Sequence, residues 1–175
     1  MNFKHLLFLL PASIFLSFGL PKAIQKKVDK EIISTFSIEE FSFVSKIIPE
    51  EIANDLPSAF GDNNLFEIKI EDSLLGYAYI SKAPSKTAEF DYLVLFDKQF
   101  IVLKAKVLIY REDYGGEIGS KRWLKQFDGK SREDEVIFEE NIVAISGATI
   151  SVRSMTNAMN NLLKSLKILH QKDII

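Results

Sequence analysis

Residues 145–151 read Ile-Ser-Gly-Ala-Thr-Ile-Ser, a turn of small residues with three hydroxyls, set between an apolar run and a long amphipathic run. Two uses fit those residue types. One is structural: Gly147 supplies a φ that other residues avoid, and Thr149 or Ser151 caps the following helix by accepting a bond from an early N–H. The other is chemical. A helix start presents unpaired N–H groups and a partial positive charge, so it favours phosphate. The small residues Ser146, Gly147 and Ala148 let an anion approach the backbone closely. The Thr149 hydroxyl can then hydrogen-bond that phosphate or be esterified by it. On residue types alone both uses stay open, and the chemistry goes no further than an anion site.

A second stretch with chemical potential is the glycine-rich loop of residues 111–120. Consecutive Gly115 and Gly116 permit a flat ligand to approach the backbone. Glu112, Asp113 and Glu117 flank them, either shaping a pocket or facing solvent. Trp123 and Phe127 fit a short core helix better than a stacking role, and Tyr110 and Tyr114 are read in the same way. Lys121, Arg122 and Arg153 are the cations available to balance a phosphate, although such residues mostly face solvent.

The elements that must position these residues follow from periodicity. Ile24, Val28, Ile32 and Ile33 predict a helix over 21–36, and Pro49 with Glu50 and Glu51 predicts a short second one. Phe66–Ile70 alternates as a strand, and Tyr77–Ile80 does so less strictly after Gly76. Two β-rich runs, 90–96 and 100–110, are joined by Asp97-Lys98-Gln99 as a hairpin. The second run sets Val102, Lys104 and Lys106 on one face and Leu103, Ala105 and Val107 on the other, so one face is expected to be wet. KRWLKQF reads as a short helix, and residues 136–145 as a last strand interrupted at Glu139-Glu140. Val152, Met155, Met159, Leu162, Leu163, Leu166 and Leu169 mark the buried stripe of a final helix. The expected class is α+β: a mostly antiparallel twisted sheet with flanking helices and a C-terminal helix.

The whole chain bounds these readings. Its 175 residues, 47% apolar and 26% charged, suit one globular domain of ordinary core size. The net charge of −2 and the lack of a basic run offer no electrostatic footprint for nucleic acid. With no cysteine, disulfides, thiolate metal sites and a cysteine nucleophile are excluded, and two histidines near the termini do not suggest a metal site or triad. Neither paired carboxylates for glycoside hydrolysis among residues 133–140 nor a calcium loop at Asp62-Asn63-Asn64 has the required pattern. Lys4, the apolar stretch Leu6–Phe18 and Ser17-Phe18-Gly19 describe a secretory signal cleaved after Gly19, or an uncleaved anchor. Export is therefore expected, to the periplasm or to a membrane-anchored position facing it.

Taken in order, Gly76-Tyr77-Ala78, the run 90–110, the loop 111–116, the segment Trp123–Lys130 containing Gln126-Phe127, and Ser146-Gly147-Ala148-Thr149 carry a resemblance. Over about residues 66–169 the chain resembles the FMN-binding domain of the G subunit of the Rnf electron-transport complex and the C subunit of the sodium-pumping NADH:quinone reductase. That resemblance implies FMN as cofactor, esterified through its phosphate to Thr149 by a separate flavin transferase. It also implies membrane redox proteins as partners, and electron transfer rather than chemistry on a substrate of the protein's own. It places Ser146, Gly147, Ala148, Ser151, Gly115, Gly116 and Glu117 around the cofactor. The chain then divides into a signal or anchor at 1–19, an N-terminal helical region at 20–65 and the FMN-binding domain at 66–175. One position departs from the family's transferase recognition pattern: Val143 stands where an aspartate precedes the serine by three residues. Covalent flavin, tightly held flavin, and a secreted binding or structural module that keeps the fold without flavin all remain open on that ground.

Overall fold

A computed structural model describes residues 20–175; the expected signal at 1–19 lies outside the described residues. Pro21, with φ fixed near the helical value, precedes helix α1 (Lys22–Phe36), which buries Ile24, Val28 and Ile32 at helix spacing. Strand β1 (Ser42–Ser45) and a single helical turn, α2 (Glu50–Ala53), follow. Then come β2 (Leu65–Ile70), β3 (Ser73–Pro84), β4 (Glu89–Phe96) and β5 (Val102–Ile109). The five strands form one antiparallel sheet in sequence order, β1-β2-β3-β4-β5. The expected α+β class with a mostly antiparallel sheet is therefore what the chain adopts. Past β5 come a 3₁₀ turn at Gly116–Gly119, the short helix α3 (Lys121–Leu124), a second 3₁₀ turn at Lys125–Phe127 and the long α4 (Thr149–Gln171).

Both faces of the sheet are covered. β4 shows why: Phe90, Tyr92, Val94 and Phe96 join one cluster with the α4 stripe, while Leu93 and Leu95 join another with Ile24, Val28 and Ile32 of α1. Period-2 alternation thus sends successive side chains to two helices rather than to a core and to water. Met155, Met159, Leu162, Leu163, Leu166 and Leu169 are all fully buried, as the stripe predicts.

Three expectations are corrected. The sequence reading places no strand before Phe66, but Ser42–Ser45 pairs with β2 as an edge strand. Its four residues carry too little alternation to stand out. In β5 the pairing with β4 shifts register, Leu95 facing Lys104 and Phe96 facing Val102. That bulge turns Val102 into the same cluster as Ala105 and Val107 and leaves Leu103 38% exposed. The face expected to be wet lies under α1 instead, because Lys104 and Lys106 reach Glu31 at 2.6 and 3.7 Å. Their aliphatic stems cover the sheet while the ammonium groups pair at the rim.

The third correction is the last strand. Residues 136–145 form a folded-back loop with a single parallel bridge, Phe138 to Ile142, not a strand. Glu139 takes a left-handed φ of 65°, and the Asn141 amide accepts from Ile137 N and donates to Glu135 O, both at 2.8 Å. Side-chain bonds of this kind compete with sheet pairing and close a turn. Val136 and Ile142 still enter the core, which is why the run reads as apolar.

Candidate functional site

The loop 136–145 delivers the chain to residues 146–148, and α4 begins at Thr149. Gly147 has φ +81°, the left-handed conformation expected of it. Ala148 is the residue flanking the helix start, and no side chain caps that start. Neither Thr149 nor Ser151 performs the capping role that their types allow. Ser151, 3% exposed, spends its hydroxyl on Tyr110 Oη at 2.9 Å. The N–H groups at the start of this 23-residue helix therefore have no side-chain acceptor, and they define a positive, anion-seeking end.

The glycine-rich loop meets this turn through Gly115. At φ +82° it lies against Ala148, and a Cβ placed there would come within 2.8 Å of Tyr110 Oη and 3.5 Å of Ala148 Cβ. Tyr110 links the two stretches, since its hydroxyl contacts Ser151 and donates to Tyr114 O at 3.0 Å. The base of the loop is fixed by Arg111, which pairs with the buried Asp91 and donates to Glu89 O at 2.8 Å. Glu112 accepts from Thr87 N at 2.8 Å and Ala88 N at 3.3 Å, so it holds the β3–β4 turn.

The segment before the turn is clamped from the other side. Trp123 Nε1 donates to Val143 O at 2.7 Å, and Val143 N donates to Gln126 Oε1 at 2.8 Å. Gln126 also donates to Trp123 O at 2.9 Å. The Gln-Phe signature thus fixes the backbone ahead of Ser146, while the Val143 side chain stays 69% exposed. Trp123 and Phe127 are core residues, meeting edge-on with centroids 5.4 Å apart.

Thr149 is exposed and lies at one end of a cleft of about 560 Å³. One wall is α4, with Ile150, Arg153, Ser154, Asn157, Ala158 and Asn161; the other is the end of β3 from Ser81 to Pro84. Tyr79 and Tyr92 also line it, and Pro57–Ala59 complete the rim. Tyr79 Oη donates to Ala59 O at 2.8 Å, and Ser58 N donates to Ser165 Oγ at 3.0 Å, so the rim is tied to both sheet and helix. Burial raises the Tyr79 phenol above its ordinary pKa and raises that of Tyr92 well above it, so both stay neutral hydrogen-bonding groups. The Arg153 guanidinium sits 4.9 Å over the Phe138 ring and borders the cleft.

The expected site residues therefore divide. Ser146, Gly147, Ala148, Thr149 and Ser151 form one turn, and Gly115 packs on it. Gly116 and Glu117 are exposed, and neither lines the cleft. Of the three cations considered, only Arg153 borders it. Sequence reasoning missed Tyr79, Tyr92, Ser154 and Asn157. The last two could have been found by continuing four and seven residues beyond Ile150, one and two turns along the same face of the helix.

Comparisons with known proteins agree with the geometry. Residues 87–164 match the family model of the FMN-binding domain, a stretch that includes the glycine loop, the Gln126 clamp and the 146–151 turn. The match indicates FMN as the ligand. A crystal structure of Shewanella oneidensis NqrC is similar to this chain with a TM-score of 0.51 at 16% identity. It covers 75% of this chain and 70% of that one. At that identity the likeness is one of fold. No curated protein matches the chain.

Proposed function

We propose that this protein is a flavoprotein electron carrier that holds one FMN at the cleft beside α4, phosphoester-linked at Thr149, within a membrane-associated redox chain. The observation that carries the reading is the start of α4: an uncapped helix end and a free threonine hydroxyl meet at the mouth of a ligand-sized cleft. This lies inside the stretch matched by the FMN-binding family. The residues fit such a group. A volume of about 560 Å³ falls within the range of small-molecule sites. The cleft's α4 wall also carries the polar side chains of Arg153, Asn157 and Asn161.

When bound, FMN supplies one- and two-electron redox chemistry that no side chain here can perform. The protein's part is placement. The N–H groups of Thr149, Ile150 and Ser151 would receive the phosphate, with the helix dipole favouring its charge. Arg153, one turn further along α4, would offset the single negative charge that the phosphodiester keeps. Tyr110 and Gly115 hold the turn from behind, keeping the Thr149 hydroxyl toward the cleft. A flavin transferase would make the ester by moving FMN from FAD onto the Thr149 oxygen. The pyrophosphate bond would break, with AMP as the leaving group and the hydroxyl proton released. Membrane redox proteins would be electron donor and acceptor. Export, with residues 1–19 as leader or anchor, would bring the chain to them; among the described residues no helix is long and apolar enough to cross a membrane.

The test is mass spectrometry of denatured protein made together with a flavin transferase. The expected result is a covalent adduct of one FMN that Thr149→Ala abolishes and Thr149→Ser partly keeps. Flavin surviving denaturation in Thr149→Ala but not in Ser151→Ala would move the linkage two residues on. A colourless wild type would favour the fold without flavin, the reading that Val143 supports.

A further inference from the structure

Three asparagine amides are used within the fold. Asn64 donates to Ile80 O at 2.9 Å and accepts from Gly61 N at 2.7 Å. Asn141 closes the 136–145 loop, and Asn160 accepts from Val136 N at 3.3 Å. Asn157 and Asn161 are placed otherwise: both are exposed, on the α4 wall of the cleft. An amide offers a donor and an acceptor on neighbouring atoms, whereas the guanidinium of Arg153 on the same wall offers donors only. Ala158, Ala83 and Pro84 line the cleft as well, and these small apolar residues leave room for a flat ring between the walls.

We infer that Asn157 is a specificity-determining residue that reads the polar edge of the flavin ring, where a ring N–H lies between two carbonyl groups. This rests on the flavin reading above. Position along the helix decides which part of the ligand each side chain meets. Thr149 stands at one end of the cleft, and Asn157 lies about 12 Å further along the helix axis at about 1.5 Å per residue. A phosphate held at the helix start keeps Arg153 for itself, and the polyol runs alongside the next turn. What reaches the level of Asn157, in a ligand lying lengthwise in the cleft, is the ring. Asn161, about 18 Å along by the same rise, falls past it. At Asn157 the amide nitrogen donates to a ring carbonyl while Oδ1 accepts from the ring N–H. Reduction adds electron density to this edge, so a donor there favours the reduced flavin and raises its midpoint potential.

The experiment compares FMN with an FMN analogue methylated at the ring N–H. Both are titrated into the full chain made without a flavin transferase, following flavin fluorescence. Wild-type protein should prefer FMN by roughly 2- to 12-fold, the worth of one neutral hydrogen bond. Asn157→Ala should erase that preference, which is the mark of a direct pair in a double-mutant cycle. In protein loaded by a flavin transferase, Asn157→Ala should lower the midpoint potential of the flavin. The isosteric Asn157→Asp, which replaces the donor with a negative charge, should lower it further. No preference in the wild type, a preference that survives Asn157→Ala, or an unchanged midpoint potential overturns the inference and leaves the flavin reading intact. Where the wild type takes up covalent FMN but binds neither free ligand, the potential alone decides. Wild-type protein that binds neither ligand and takes up no covalent FMN overturns both. Far-ultraviolet circular dichroism of each variant keeps a folding defect from passing as a binding one.

Discussion

The sheet carries a helix on each face, and the two coverings are built differently. α1 closes its face with charge as well as apolar contact: Glu31 takes Lys104 and Lys106, and Lys27 donates to Leu108 O at 2.6 Å. α4 buries a longer apolar stripe, yet its first turn is uncapped and a cleft runs beside it from Thr149 to Asn161. One helix fastens the frame. The other gives up part of its contact and keeps polar groups facing a gap. Ligand sites are commonly found where packing is left incomplete in this way, since a fully sealed interface has nothing further to bind.

The largest expected effect that separates the two faces is a packing loss. Met159→Ala on α4 should cost about 2–5 kcal/mol, and Val28→Ala on α1, with less volume removed, about 1–3 kcal/mol. Urea unfolding measures both. Flavin content, read where each variant is still folded, should fall for Met159→Ala and hold for Val28→Ala; a fall in both would mean that the two faces are not independent.

Next in size is a pH effect confined to the cleft side. Burial raises the Tyr92 pKa well above its ordinary value, so the folded state holds that proton more tightly than the unfolded chain does. The resulting stability is fully present below about pH 10, the ordinary tyrosine value, and is lost as pH rises beyond it. Thermal melts from pH 8 to 11 should show this decline, and Tyr92→Phe should flatten it.

Smaller again is Glu31→Gln, which should lower stability by about 0.2–1 kcal/mol, an effect that shrinks with added salt. Flavin content should not change. The smallest effect on stability belongs to Val143→Asp. Its exposed side chain predicts a change within about 0.5 kcal/mol in unfolding. The fraction of chains labelled by a flavin transferase should rise if that enzyme reads an acid there, and equal labelling would show the departure to be harmless.

Much of the frame was legible because periodicity survives in single segments. The α4 stripe and the α1 stripe each repeat over several turns, and β4 is apolar on both faces because two helices cover it. The failures were non-local. The β5 bulge depends on its register with β4, so no pattern within residues 100–110 reveals it. Residues 136–145 look like a strand because Val136 and Ile142 are core anchors, but the Asn141 amide closes the segment into a loop. The turn at 146–149 was visible in its residue types, and so was Gly115. The cleft was not: its floor and rim come from Tyr79, Tyr92 and residues 57–59, which the fold gathers from distant parts of the chain.

Trp123 is the chain's one tryptophan, and its ring nitrogen is spent on the carbonyl of Val143, three residues ahead of Ser146. The protein's indole emission therefore comes from a single, 5% exposed ring fastened to the segment that leads into α4. Indole emits where flavins absorb, so a flavin seated at this turn would drain that light by energy transfer. The molecule carries its own optical gauge: bright when the site holds no flavin, dim when it does, and shifted in colour when the Val143 clamp lets go.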